Sequence, residues 1–160
     1  LVEKKMDLEN RFCLIAAAID NIPNEELFRM AKFYTTALNT GNSSLIKEVI
    51  YDYPEKGPAQ VIDVPCIRLS QVLEKIDWNR FPVIDCIKID TEGKDFDVIK
   101  SVDPFYEKVI HFRVEMFEQY EKLNEEIIAF LSDKGFELFD KTPGDYKFIN
   151  NKHKNLGATW

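Results

Sequence analysis

Apolar side chains come in short blocks along this chain, divided by polar breaks that proline and glycine mark, and the period inside each block predicts its element. Phe12 to Ile19 is a continuous apolar run, the pattern of a strand buried on both faces. Asn21-Ile22-Pro23-Asn24 then makes a turn. Leu27 to Phe33 alternates in part, as a half-buried strand does. Thr35 to Ser44 is polar and predicts a loop. Tyr53 to Pro58, with two prolines and a glycine, predicts another. Gln60 to Ile67 returns to a strand pattern. Leu69, Val72, Leu73 and Ile76 follow at helical spacing, with Ser70 placed to cap them.

The second half repeats the alternation more clearly. Val83, Ile84, Cys86, Ile87 and Ile89 form a buried strand that stops at Asp90, Glu92 and Gly93. Phe96 to Val102 is a helix that ends before Pro104. Val109 to Glu115 is a strand. Tyr120, Leu123, Ile127, Ile128 and Leu131 form the clearest amphipathic helix, and Lys134 and Gly135 stop it. Phe136–Phe139 and Tyr146–Ile149 flank Thr142-Pro143-Gly144-Asp145, a hairpin whose loop is slightly longer than the tightest type. Strand and helix in alternation, closed by a hairpin, predict an α/β fold with a mainly parallel sheet and an antiparallel C-terminal edge. The expected organisation is one domain over residues 1–160: an arm at 1–11, the core at 12–150 and a loose tail at 151–160.

Composition changes this picture little. The 160 residues suffice for one core, and 45% hydrophobic with 31% charged residues is ordinary for a globular protein. A net charge of −7, spread along the chain, argues against nucleic acid or an anionic membrane as the partner. No apolar run is long enough to span a bilayer and no signal peptide is visible. Cys13, Cys66 and Cys86 all lie in apolar stretches without metal spacing. They read as buried, reduced thiols, which favours a cytoplasmic setting.

Chemistry concentrates in Lys88-Ile89-Asp90-Thr91-Glu92-Gly93. Two carboxylates stand at the C-terminal edge of a buried strand, where open α/β sheets bind their ligands. The structural alternative is that Asp90 caps the next helix and Glu92 sits in its N-terminal field. Lys88, on a buried strand, needs an ion-pair partner. Glu115 ends the following strand and faces the same crevice. His111 reads as a satisfied core residue and His153 as incidental. A hard-cation reading of Asp85, Asp90, Glu92, Asp95 and Asp97 is set aside, because a buried strand separates Asp85 from the rest and the calcium-loop pattern is absent. No metal is expected.

Those residues carry a resemblance. Lys88 to Gly93 is similar to the Lys-Ile-Asp-x-Glu-Gly signature of the FkbM-type methyltransferases, which use S-adenosylmethionine. Ala17-Ala18-Ile19-Asp20 resembles that family's third-strand ending, and Asn42-Ser43-Ser44-Leu45 its Ser-Ser-Leu segment. Val64 to Leu73 resembles the stretch before the signature, with Leu69-Ser70 where the family has Leu-Asp. Glu115, Gly135-Phe136 and Asp145 to Ile149 match its fifth-strand acid, last helix exit and final hairpin. The resemblance implies a class I methyltransferase sheet of Rossmann-like type, without its first two strands and glycine-rich turn. Glycines stand only at positions 41, 57, 93, 135, 144 and 157.

By resemblance, Asp90, Glu92 and Glu115 are the catalytic residues, with Asp90 or else Glu92 orienting the acceptor hydroxyl or taking its proton. Ala17, Ala18 and Ile19 form an adenine-facing wall, and with Asp90 they bind S-adenosylmethionine. Ser43 and Ser44 bond an acceptor or fill a turn. The expected activity is O-methylation of a hydroxyl on a sugar or other secondary metabolite. The competing expectation is a truncated or degenerate methyltransferase module that only binds or assembles. An exposed sheet edge should make the chain self-associate.

Overall fold

The computed structural model describes residues 14–36, 43–47 and 59–155. The arm at 1–11, Cys13, Asn42, the loop at 53–58 and the last part of the tail lie outside them. Among the described residues, seven strands and three α-helices form in this order: β1 Ala18–Ile19, β2 Arg29–Thr36, β3 Ala59–Ile67, α1 Leu69–Leu73, β4 Ile84–Ile89, α2 Asp95–Lys100, β5 Val109–Met116, α3 Glu121–Asp133, β6 Phe136–Thr142 and β7 Gly144–Asn150.

The mainly parallel, Rossmann-like α/β sheet expected from the sequence is not what these residues build. The described chain is mainly β, in two mixed sheets of order β1-β3-β2 and β4-β5-β7-β6. Only β1–β3 and β4–β5 run parallel. β2 lies antiparallel to β3 from Arg29 opposite Cys66 to Thr36 opposite Ala59. The cause of the error is physical. Alternating and continuous apolar patterns report which face of a strand is buried, and they are silent on the direction of its neighbour.

The four-stranded sheet carries most of its core on one face. Ile89, Phe112, Val114 and Phe148 are at most 2% exposed and pack under Val98 and Ile99 of α2 and Ile127 and Leu131 of α3. Each such side chain contributes about 1.5–3 kcal/mol by leaving water. Leu123 stays 37% exposed, so the buried stripe of α3 is narrower than its spacing suggested. Gly135, at φ +87°, ends that helix in the left-handed conformation a glycine adopts without strain. The hairpin is tighter than expected. Thr142 pairs with Asp145, leaving Pro143 and Gly144 as a two-residue loop.

Other local expectations shift as well. Ser70 does not cap α1. Arg68 stands at the cap position, where its N–H donates to Gln71 Oε1 at 3.0 Å. Cys66 is buried, but Cys86 is exposed, because β4 turns it onto the uncovered face of the sheet. The beginning of the tail is tied down: His153 Nε2 donates to the Glu107 carbonyl at 2.8 Å, and Lys152 pairs with Glu107.

Candidate active site

The uncovered face of the four-stranded sheet is a ladder of charge. Lys88, Arg113 and Lys147 occupy one row across β4, β5 and β7. Two residues further along lies a row of acids. Glu115 is opposite Asp145, and Asp90 follows β4 beside Glu115. Two acids of this row have cations. Lys88 pairs with Asp90, and Arg113 Nε and Nη2 donate to Asp145 at 2.8 and 2.6 Å. Lys147 is drawn aside to Asp140 at 2.7 Å. Glu115, in the middle, forms no ion pair among the described residues.

The electrostatics follow from that arrangement. The Lys88 ammonium holds Asp90 below the ordinary carboxylate range, so Asp90 is the anion. Burial, and then the negative charge of Asp90, push Glu115 up to about 7. In its protonated form, the Glu115 carboxyl is the partner that can donate to the Asp90 carboxylate, which adds to both shifts. Glu92 joins them. Oxygens of Asp90, Glu92 and Glu115 all lie within 4.8 Å of one another. Asp85, Asp95 and Asp97, weighed with them on sequence, do not belong to this group. Asp97 pairs with Lys94 at 3.0 Å and Lys100 at 2.9 Å.

A turn of unusual backbone brings Glu92 there. Glu92 has φ +51° and Gly93 φ +102°. Glycine takes such values freely, whereas a glutamate held there is strained by roughly 1 kcal/mol or more. Asp95, buried at 8% exposure, accepts from the Thr91 and Gly93 N–H groups at 3.1 and 3.2 Å. The capping role considered for Asp90 is not filled by any side chain among the described residues: Lys94 stands at the cap position of α2 without a side-chain cap bond, and Asp95 ties down the turn before the helix. On the other side, Ser44 Oγ donates to the Glu92 carbonyl at 2.8 Å.

Beside the acids lies a cleft of about 380 Å³ between the two sheets. Ala17, Ala18, Ile19, Phe33, Leu45, Leu69, Ile87, Ile89 and Val98 make its walls mostly apolar. Ser43, Lys88, Asp90, Thr91 and Lys94 supply the polar groups. That is the size and character of a small-molecule site. Of the expected site residues, Ala17, Ala18, Ile19 and Asp90 do line one cleft. Glu92 and Glu115 are not in its wall but meet Asp90 at its edge. Thr91 Oγ1 is shielded from water and has no hydrogen-bond partner among the described residues, so the lining carries an unsatisfied polar atom there.

Three further residues stand differently from the sequence expectation. Lys88 is half-exposed rather than buried, and it does find its partner. His111 is buried beside Cys86, two rows from the acids. Its Nδ1 donates to the Asp85 carbonyl at 3.0 Å, while Nε2 has no partner among the described residues. Arg68 was overlooked. It is 8% exposed, and its Nη1 donates to Asn21 Oδ1 and the Ile22 carbonyl at 2.5 and 2.8 Å. Its Nε reaches Ser70 Oγ at 3.4 Å, where the family pattern carries an acid. A lone arginine beside that Leu-Ser departure was the available signal.

Comparison with known proteins bears directly on this site. The model of the FkbM methyltransferase domain matches residues 8–138, most of the chain. The chain belongs to the FkbM methyltransferase family. As one member of it, the chain is 36% identical over 88 residues to methyltransferase sdnD of Sordaria araneosa, a match covering 51% of this chain and 34% of that protein. The chain thus spans about a third of that relative's length. No solved structure matches it. Among the described residues of this FkbM domain, no helix is long and apolar enough to cross a membrane.

Proposed function

We propose that this chain forms part of an S-adenosylmethionine-dependent O-methyltransferase acting on a hydroxyl of a sugar or other secondary metabolite. The observation that carries the reading is the convergence of Asp90, Glu92 and Glu115 at the ends of two parallel strands, beside an apolar cleft. Family membership supports it, as does the unsatisfied Thr91 hydroxyl in the cleft lining, which a bound polar group would complete.

The lining suits the methyl donor. Ala17, Ala18 and Ile19 offer a flat apolar wall for an adenine ring, and Asp90 offers negative charge for a sulfonium. The donor supplies an electrophilic methyl group. The protein's part is to place the acceptor oxygen and remove its proton. Asp90, kept anionic by Lys88, accepts a hydrogen bond from the hydroxyl and orients it. Glu115, with its midpoint near 7, takes the proton when it is itself deprotonated. Glu92 adds a third oxygen to the same group.

Calorimetric titration with S-adenosylmethionine and with its demethylated product tests the reading. Micromolar binding, weakened by Asp90→Ala, is expected. A folded chain that binds neither compound overturns donor binding by this chain and leaves a non-catalytic methyltransferase-like module.

A further inference from the structure

Ser44 is 1% exposed, yet it belongs to a short segment whose neighbours on both sides, Ser43 and Leu45, line the cleft. Its own side chain turns the other way. Ser44 Oγ accepts from the Ile46 N–H at 2.9 Å and donates to the Glu92 carbonyl at 2.8 Å. Its backbone is held as firmly: Tyr34 and Ser44 exchange two hydrogen bonds, at 2.8 and 3.0 Å, along the outer edge of β2. Phe33, next to Tyr34, also lines the cleft. One buried hydroxyl therefore joins the cleft wall to the carbonyl of a left-handed glutamate whose carboxylate meets Asp90 and Glu115. Asp95 accepts from the Gly93 N–H and Ser44 donates to the Glu92 carbonyl, so the two side chains grip opposite sides of one peptide, the one that follows the left-handed glutamate.

We propose that Ser44 is a positioning residue, which couples occupancy of the cleft to the placement of the Glu92 carboxylate. The ligand is the one that the methyl-donor reading puts in the cleft, and the coupling rests on that reading. A molecule in the cleft presses on Ser43 and Leu45 and fixes the segment. Ser44 then holds Glu92 in its strained conformation, close to the other two acids. Loss of the Oγ donor removes one of the holds on that peptide, so the turn relaxes toward ordinary φ and the third carboxylate moves off.

The Glu115 carboxyl reports the distance to Glu92, because the Glu92 charge helps to raise its midpoint. The experiment follows that carboxyl by carbon-13 NMR titration, in the presence of a chelator, in the unchanged chain, Ser44→Ala and Ser44→Thr. S-Adenosylhomocysteine is the cleft probe. Without probe, Ser44→Ala should lower the Glu115 midpoint, and Ser44→Thr, which keeps the hydroxyl, should restore it. With probe, the midpoint should move in all three, because the cleft is lined by Asp90, but by less in Ser44→Ala than in the unchanged chain and Ser44→Thr. A folded Ser44→Ala with an unaltered midpoint overturns the proposal, as does one with an unaltered probe response. Should Ser44→Ala fail to fold, Ser44→Cys takes its place with the same outcomes, being close in size and a weak donor. If the unchanged chain does not bind the probe, it is the methyl-donor reading that fails, and the probe-free comparison still decides the role of Ser44.

Discussion

The two sheets of this protein are built to different standards. In the four-stranded sheet, Val109, Phe112 and Val114 of the central strand are fully shielded, and Phe112 packs edge-on against Phe136 with ring centroids 5.0 Å apart. In the three-stranded sheet, Met30, Val61 and Ile62 remain about half exposed, at 53%, 50% and 49%. One sheet has helices over a face; the other is thin, and much of its apolar surface stays in water. The candidate site lies on the seam between them. The thick sheet supplies the carboxylates, which the proposed proton transfer needs held accurately, and the thin one supplies much of the cleft wall. Accuracy is easier to maintain in a close-packed body than in a ribbon with solvent on it.

The contrast can be broken most severely in the core. Phe112→Ala should cost about 3–5 kcal/mol, whereas Met30→Ala should stay within about 0.5 kcal/mol, compared by urea midpoints. Comparable losses would show that the thin sheet is packed as tightly as the thick one. Next comes the seam. Arg68→Ala frees the 21–22 segment from the start of α1 and should cost about 3 kcal/mol, given charged hydrogen bonds in a buried place. Ser70→Asp should go the other way, by giving the guanidinium an anion. Lys94→Ala unpairs Asp20, at the end of β1, from Asp97 of α2. A loss of about 1 kcal/mol is expected, with faster amide exchange in β1 and little change in β5.

The subtlest effect is on pH dependence. Glu115 titrates near 7 folded, against an ordinary value of 4.5. Between those values the folded chain binds the extra proton, so stability should fall as pH rises through that window. Glu115→Gln should remove that slope, read from melting temperatures at a series of pH values. Asp90→Asn should weaken it, since Asp90 is one of the charges that raise Glu115. Under the proposed activity, methyl transfer should rise with pH through about 7 and lose that step in Glu115→Gln. A pH-independent rate would take Glu115 out of the role of base.

Much of this was legible along the chain, wherever the decisive contact is local. The amphipathic spacing of Ile127 and Leu131 located α3, and the Pro-Gly turn located the hairpin. The abrupt end of an apolar strand at Asp90-Thr91-Glu92-Gly93 marked the family and one end of the cluster where three carboxylates meet. Tertiary structure decided what depends on neighbours distant in sequence. β2 runs against β3, which no period within either strand reveals. Lys88 pairs with Asp90 and Arg113 with Asp145, leaving Glu115 the acid whose proton affinity is raised. Ser44 serves Glu92, 48 residues away, and does not line the cleft. The reason is the same in each case: periodicity records which face of an element avoids water, while strand direction, charge pairing and proton affinity are set by whichever residues the fold brings alongside.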